Sequence, residues 1–217
     1  MFSLDMFRKK YNTDSTEVKI KDRRFSFFVP KELEPFVDQS DVFRHFPLWA
    51  KIWETSVVLA DHLASRETRP EEHLLEIGCG VGLVGIVAAS FGHTVTMTEQ
   101  DPDGLNFARA NAARNLPSAS PIEIRRLDWN HPTLDRTFDL IVGSEVVYSE
   151  RDYDPLLSLF KTLLKPGGEI ILAEGFRESS FNFFKEMGRF FELKAQKKTI
   201  RTPEKHIPLI LCSMKFK

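Results

Sequence analysis

The sequence predicts a doubly wound α/β sheet, and three observations carry that prediction. From Leu74 onward, short apolar runs alternate with helical patterns. A glycine-rich turn, Gly78-Cys79-Gly80-Val81-Gly82, joins the first apolar run to the first helical pattern. Two strand-like runs separated by a short polar link close the sequence, which predicts a final antiparallel hairpin.

The elements follow in order. "HLLEIGC" from His73 reads as a buried strand, and "LVGIVAASFG" as a helix ended by Gly92. "TVTMTEQ" is the second strand. "DPDGLNFARANAARN" is a helix with Asp101 as its N-cap and Pro102 at its first position. "IEIRRLDW" is the third strand. "FDLIVGSEVVY" is the fourth, and its nearly continuous apolar residues suit a strand covered on both faces. "DYDPLLSLFKTLLKPGG" places Leu156, Leu157, Phe160, Leu163 and Leu164 on one helical face and stops at Pro166-Gly167-Gly168. "EIILAEG" is the fifth strand, "SSFNFFKEMGRFF" a further helix, and "FELKAQKKTI" and "IPLILCSMKF" pair as the closing hairpin. The count is seven strands, mostly parallel, with right-handed crossovers.

Upstream, "EVKIKDRRFSFFVP" alternates like a strand and "WAKIWETSVVLADHLAS" reads as a helix leading into the core. On that helix Trp49 and Trp53, four residues apart, share a face. Residues 1–45 differ in character and are read as an N-terminal extension; residues 46–217 form the main domain.

Composition narrows the function. The 217 residues are 42% hydrophobic, enough for a substantial core, and the net charge of −1 gives no global field toward nucleic acid or membrane. No DNA partner is expected. Cys79 and Cys212 fit no metal or redox spacing, and no apolar run approaches the length of a spanning helix. The six histidines, His45, His62, His73, His93, His131 and His206, form no pair at metal spacing, so no metal is expected. The expectation is a soluble cytoplasmic protein.

The glycine turn fits two cofactor classes. Gly80, Gly82 and Gly85 form G-x-G-x-x-G, the dinucleotide fingerprint. Glu76, Gly78, Gly80 and Gly82 form E-x-G-x-G-x-G. Glu76 lies inside the first strand, where a covered dinucleotide-binding sheet is normally apolar, and a buried carboxylate is costly unless hydrogen-bonded. Glu99 ends the second strand, where a carboxylate can accept ribose hydroxyls of either cofactor class. Asp128 and Trp129, in "LDW" at the third strand's end, can meet an adenine through its amino group and its ring. A dehydrogenase would need chemistry that is missing: there is no Y-x-x-x-K and no second domain for a substrate site. Gly85 reads as close packing of the first helix on the sheet.

From about Phe46 to Gly175 the chain resembles the seven-β-strand, Rossmann-like protein lysine methyltransferases, family 16 of the class I methyltransferases. The resemblance rests on "IWETSVVLADHL", "LLEIGCGVGLVGI", "TVTMTEQD", "LDW" and "SEVVY". Residues 1–45 lie outside it. It implies S-adenosyl-L-methionine as cofactor, with Trp53 packed by it and Glu76 orienting the loop and the methionine end. Gly78, Gly80, Gly82, Glu99, Asp128, Trp129 and Ser144 complete the implied cofactor site. It also implies a D/E-x-x-Y/F motif after the fourth strand, matched by Glu145 and Tyr148. Glu145 would then orient the acceptor amine or take its proton through water, and the Tyr148 ring would line a lysine channel. The absence of prolines in "SEVVY" disfavours the adenine and glutamine amide acceptors that N/D-P-P-Y/F serves. The implied acceptor is a protein lysine. A small-molecule or RNA acceptor, or a non-catalytic module that binds S-adenosylmethionine, are the alternatives. The basic stretch Lys194, Lys197, Lys198, Arg201 and Lys205 reads as a solvated hairpin face.

Overall fold

The computed structural model describes residues 2–37, 46–201 and 206–217. His45, Lys205, most of the link between the last two strands and the proposed boundary at residue 45 lie outside the described residues.

The chain begins with helix α1 (Leu4–Lys10) and strands β1 (Thr13–Ile20) and β2 (Arg23–Pro30), followed by helix α2 (Glu54–Ala64). The main sheet alternates β3 (His73–Ile77), α3 (Leu83–Ser90), β4 (Thr94–Glu99), α4 (Pro102–Asn115), β5 (Ile122–Arg126), β6 (Phe138–Ser144), α5 (Tyr153–Leu163), β7 (Leu164–Gly175), α6 (Glu178–Met187), β8 (Phe191–Arg201) and β9 (His206–Phe216). Its seven strands stand in the order β5-β4-β3-β6-β7-β9-β8. β3 to β7 pair in parallel, and β9 joins β7 and β8 antiparallel, as the closing runs predict. The order reverses between β4-β3 and β6, which opens a crevice at the carboxyl ends of β3 and β6.

Two apolar layers hold the sheet. On one face α2, α3 and α4 cover Leu74, Val95, Met97, Leu140 and Val142. On the other, α5 and α6 supply Leu156, Phe160, Leu163, Phe183 and Met187 against Leu75, Ile77, Ile141 and Leu172. α5 buries Leu156, Leu159, Phe160 and Leu163, while Leu157 sits half-buried beside this face. The helix ends at Leu163, and Leu164 begins β7 instead of extending the helical stripe.

"EVKIKDRRFSFFVP" is a hairpin and not one strand. Lys21 adopts φ 53, and the left-handed turn reverses the chain so that Val18 faces Phe25. Its Phe25 and Phe27 are buried in the α2–α3 layer. Asn111 on α4, fully buried, holds the hairpin by accepting from the Phe28 N–H at 2.6 Å and donating to the Phe28 carbonyl at 3.0 Å.

The helix expected from Trp49 begins only at Glu54. Leu48–Ala50 form one 3-10 turn, Lys51 is extended, and Trp53 is the N-cap of α2 with φ −90 and ψ 148. Trp49 and Trp53 therefore share no helix face. The indole N–H of Trp53 donates to the Leu48 carbonyl at 2.9 Å and folds the segment back on itself. Both cysteines are buried and free; burial raises both thiols, that of Cys212 to about 12. Among the described residues no helix is long and apolar enough to cross a membrane.

Candidate active site

The glycine turn is built by backbone that only glycine adopts easily. Gly78, Gly80 and Gly82 have φ of 60, 52 and 93. Gly80 also lies under the segment before α2: a Cβ there would sit 2.9 Å from the Trp49 carbonyl oxygen. Gly78 lies against the Trp129 ring, 3.3 Å from where its Cβ would be. The turn is thus clasped between two tryptophans.

Two carboxylates brace it. Glu76, 3% exposed, accepts the Gly85 N–H at 2.8 Å, so it ties β3 to the first turn of α3. Burial, partly offset by that N–H, pushes its carboxyl up to about 8. Gly85 has no room for a side chain, because a Cβ would lie 2.4 Å from Met97 Cγ and 2.5 Å from Glu76 Oε2. This is the close helix–sheet packing expected of it. Glu99 accepts from the Gly80 N–H at 2.9 Å, the Gln100 N–H at 2.8 Å and the Asp101 N–H at 3.1 Å. Burial raises its carboxyl, and the three N–H groups oppose that rise. Asp101 is the α4 cap, accepting from the Asp103 and Gly104 N–H groups.

A cavity of about 570 Å³ opens above this turn. Of the expected cofactor residues, Trp53, Glu76, Gly78, Gly80, Glu99, Trp129 and Ser144 line it, and so do the expected catalytic residues Glu145 and Tyr148. Gly82 is set back from the lining, as the N-terminal flank of α3. Asp128 is also off the lining. β5 stops at Arg126, and the Asp128 carboxylate turns outward to accept from the Asn130 backbone and side-chain N–H groups at 2.9 and 3.1 Å. Those bonds hold its carboxyl below the usual range.

At the carboxyl end of β6, the strand stops at Ser144 and Glu145 takes a left-handed conformation, φ 50, unusual for a residue with a side chain. Its N–H donates to the Ala173 carbonyl at 3.0 Å, and its carboxylate is 8% exposed. Tyr148 is 43% exposed at the rim, and burial of its hydroxyl, reinforced by Glu145 and Glu174, raises its phenol.

Two residues here were not anticipated. Glu174, fully buried at the end of β7, accepts the Val146 N–H at 2.9 Å. Arg177, at the N-cap of α6, donates to Glu145 at 2.5 Å, to Glu174 at 3.2 Å and to the Val147 carbonyl at 2.9 Å. The sequence held one signal for this: Glu174 interrupts the apolar run "IILAEG" as Glu76 interrupts "LLEIG". Nothing local marked Arg177.

The residues fit S-adenosylmethionine. The cavity lies in the size range of small-molecule sites. The turn brings bare backbone to its floor, Glu99 supplies an acceptor, and Trp53 and Trp129 supply apolar walls.

Comparisons with known proteins agree with this reading. A family described as lysine methyltransferase matches residues 48–190. Protein N-lysine methyltransferase METTL21A of Xenopus tropicalis is 33% identical over 142 residues, covering 64% of this chain and 66% of that one. EEF1A lysine methyltransferase 3 of Mus musculus is 30% identical over 131 residues, covering 59% and 56%. The matched parts thus span just under two thirds of the first relative's length and little over half of the second's. A solved S-adenosylmethionine-dependent methyltransferase from Agrobacterium tumefaciens superposes with a TM-score of 0.62 at 18% identity, over 96% of this chain and 72% of that one, and shows the same fold. The family match covers well over half of the residues, so the chain belongs to the lysine methyltransferase family.

Proposed function

We propose that the protein transfers a methyl group from S-adenosylmethionine to the side-chain amine of a lysine in a protein substrate. One observation carries the reading. The glycine turn and Glu99, suited to an adenosine cofactor, share a single cavity with Glu145 and Tyr148, the residues this reading assigns to the acceptor.

S-adenosylmethionine, when bound, supplies a sulfonium methyl that passes to nitrogen as its C–S bond breaks, leaving S-adenosylhomocysteine. The protein's part is to hold and align. Gly78 and Gly80 would present backbone to the cofactor, and Trp53 and Trp129, which line the same cavity, would flank it. An ionised carboxylate has about four acceptor positions. Three backbone N–H groups already use Glu99, which leaves room for about one ribose hydroxyl. Asp128 would act on the adenine only through the turn it stabilises. Ser144 ends β6 beside Glu145 and contributes to the wall between cofactor and acceptor.

A free lysine has a pKa near 10.4, so the acceptor must lose a proton before it attacks. In this reading Glu145 draws the ammonium in and accepts that proton directly or through water. The Tyr148 ring, half in solvent, favours a cation on its face. Alignment of amine and methyl within near-attack distance supplies much of the rate. The two free, buried cysteines support a reducing compartment such as the cytoplasm.

The test is transfer of labelled methyl from S-adenosylmethionine to a lysate of the source cells, followed by mass spectrometry. Label on protein, released by protease and mapped to methyl-lysine, is the expected result. Label that partitions with RNA or small molecules overturns the acceptor assignment. Tight binding of NAD with no binding of S-adenosylhomocysteine overturns the cofactor.

A further inference from the structure

The guanidinium of Arg177 sits in a cage that nothing in the glycine or E-x-x-Y motifs accounts for. It meets two carboxylates, Glu145 and Glu174, and the Val147 carbonyl; its Nε donates to Ser179 Oγ at 3.2 Å. The Tyr148 ring centroid lies 5.7 Å away. These partners come from three elements: the segment after β6, the end of β7 and the start of α6. Gly175 makes the arrangement possible. A Cβ at that position would lie 2.8 Å from an Arg177 Nη and 3.4 Å from a Glu145 oxygen, and the Gly175 backbone is not left-handed. The glycine is needed for the guanidinium and not for its own conformation.

Resting on the function proposed above, we infer that Arg177 is a positioning residue for methyl transfer. Its fork fixes Glu145 at the acceptor mouth and sets a positive charge between that carboxylate and a second, buried one.

The electrostatics require such a group. Two carboxylates this close oppose each other's ionisation, and burial adds to the cost. Burial, with the Glu145 charge next, raises Glu174 well above its ordinary range, and Arg177 opposes that rise. The charged or titratable groups around this cluster include Glu145, Glu174, Arg177 and the Tyr148 phenol, with Glu99 across the cavity and Asp152 accepting from the Tyr148 N–H. Of these groups, Arg177 is the cation. The geometry makes the same point. Glu145 holds a left-handed backbone that one N–H to the Ala173 carbonyl secures on the main chain, while Arg177 secures the side chain and the next turn at Val147. A guanidinium can do this because its donors lie in one plane at fixed angles, whereas an ammonium is a point charge.

The experiment compares wild type with Arg177→Ala, Arg177→Lys and Gly175→Ala. Initial rates of labelled methyl transfer into source-cell lysate protein are read from about pH 6 to about pH 9.5, with S-adenosylhomocysteine affinity and Tm measured alongside. Arg177→Ala is expected to lose roughly 10²-fold in rate, the scale of a misplaced catalytic group, and to move the acid limb of the profile to higher pH as Glu174 loses the cation that opposes its rise. S-adenosylhomocysteine affinity stays within about twofold, because Arg177 does not line the cavity. Arg177→Lys restores the charge without the fork, so the acid limb returns while the rate recovers only in part. Gly175→Ala keeps Arg177 but crowds its Nη, and gives a smaller rate loss in a chain of near wild-type Tm. An Arg177→Ala rate within threefold of wild type with an unmoved acid limb overturns the inference and leaves the methyltransferase reading standing. A rate loss matched by lost Tm and lost S-adenosylhomocysteine affinity, with the acid limb unmoved and no rescue by lysine, also overturns it, as a purely structural role. A wild-type chain that labels no protein at any pH overturns the function proposed above and this inference with it.

Discussion

The carboxylate of Glu76 occupies the space that a side chain on Gly85 would fill, and accepts the Gly85 N–H at 2.8 Å. The acid and the glycine are therefore one feature: the helix approaches the strand closely enough for the bond only because Gly85 is bare. Burial pushes the Glu76 carboxyl up to about 8 from a reference near 4.5, with the Glu99 charge adding to the rise and the Gly85 N–H resisting it. A carboxyl raised on folding binds its proton more tightly in the native state. Its contribution to stability is complete below about pH 4.5 and is lost as the pH climbs through about 8. Glu76→Gln keeps an acceptor for Gly85 without the charge. The difference in Tm between the variant and wild type should grow in the variant's favour from pH 5 to pH 8. A difference that stays flat across that range contradicts the burial argument.

Gly80→Ala should damage cofactor binding and stability together. The residue would carry a side chain at φ 52, and its methyl would meet the Trp49 carbonyl oxygen at 2.9 Å. The left-handed backbone alone costs roughly 1–2 kcal/mol for an L-residue, and the clash displaces the segment that covers the turn. Calorimetry with S-adenosylhomocysteine should show at least about a tenfold loss, the equivalent of about 1.4 kcal/mol.

Glu99 should matter twice. Glu99→Ala removes the acceptor for a ribose hydroxyl and also frees the Gly80, Gln100 and Asp101 N–H groups. Hydrogen bonds to charged groups are worth about 1.5–3 kcal/mol, so S-adenosylhomocysteine affinity should fall roughly 10- to 100-fold. Glu99→Gln should recover part of that loss, because its amide oxygen can still accept from Gly80. Equal affinities for the two variants would show that charge, and not loop geometry, sets the contribution.

Asn111→Ala tests how firmly the N-terminal hairpin is held. The side chain is fully buried and joins the Phe28 N–H and carbonyl to the Val81 carbonyl. Its removal leaves the three backbone groups without that partner, at a cost of about 1–3 kcal/mol for a buried unsatisfied group. Tm should fall by several degrees, at roughly 2–4 °C per kcal/mol for a chain of this size. Limited proteolysis should cut first within residues 13–30.

Much of this molecule is legible in the sequence because the parallel strands are apolar on both faces. Runs such as "DLIVG" and "EIILAEG" can be little else, and the seven strands and the closing hairpin appear where periodicity places them. Asp101 as a helix cap and Gly78 to Gly82 as a turn are equally local, since each is fixed by chemistry within four residues. The failures are of another kind. Trp49 and Trp53 look helical by spacing, but the hydrogen bond from Trp53 to Leu48 and the closeness of Trp49 to Gly80 override the pattern. The hairpin at Lys21 was hidden because no glycine marks its turn. "LDW" reads as a strand end, yet the strand is already over at Arg126. Arg177 could not be read at all. Its partner Glu145 is 32 residues earlier, and only the pairing of β6 with β7 brings them together.

The hairpin seated on Asn111 has a consequence for how the chain reaches its native state. Residues 13–30 are made on the ribosome well before their anchor on α4, about 80 residues later, so the two strands emerge with Phe25, Phe27 and Phe28 uncovered. Contacts this distant in sequence form late, because loop closure must come first. Until α4 arrives, α2 and α3 can cover Phe25 and Phe27, but Phe28 lacks both Asn111 and the Phe107 ring, so a truncation before residue 107 would leave the α4-facing side of the hairpin unsealed.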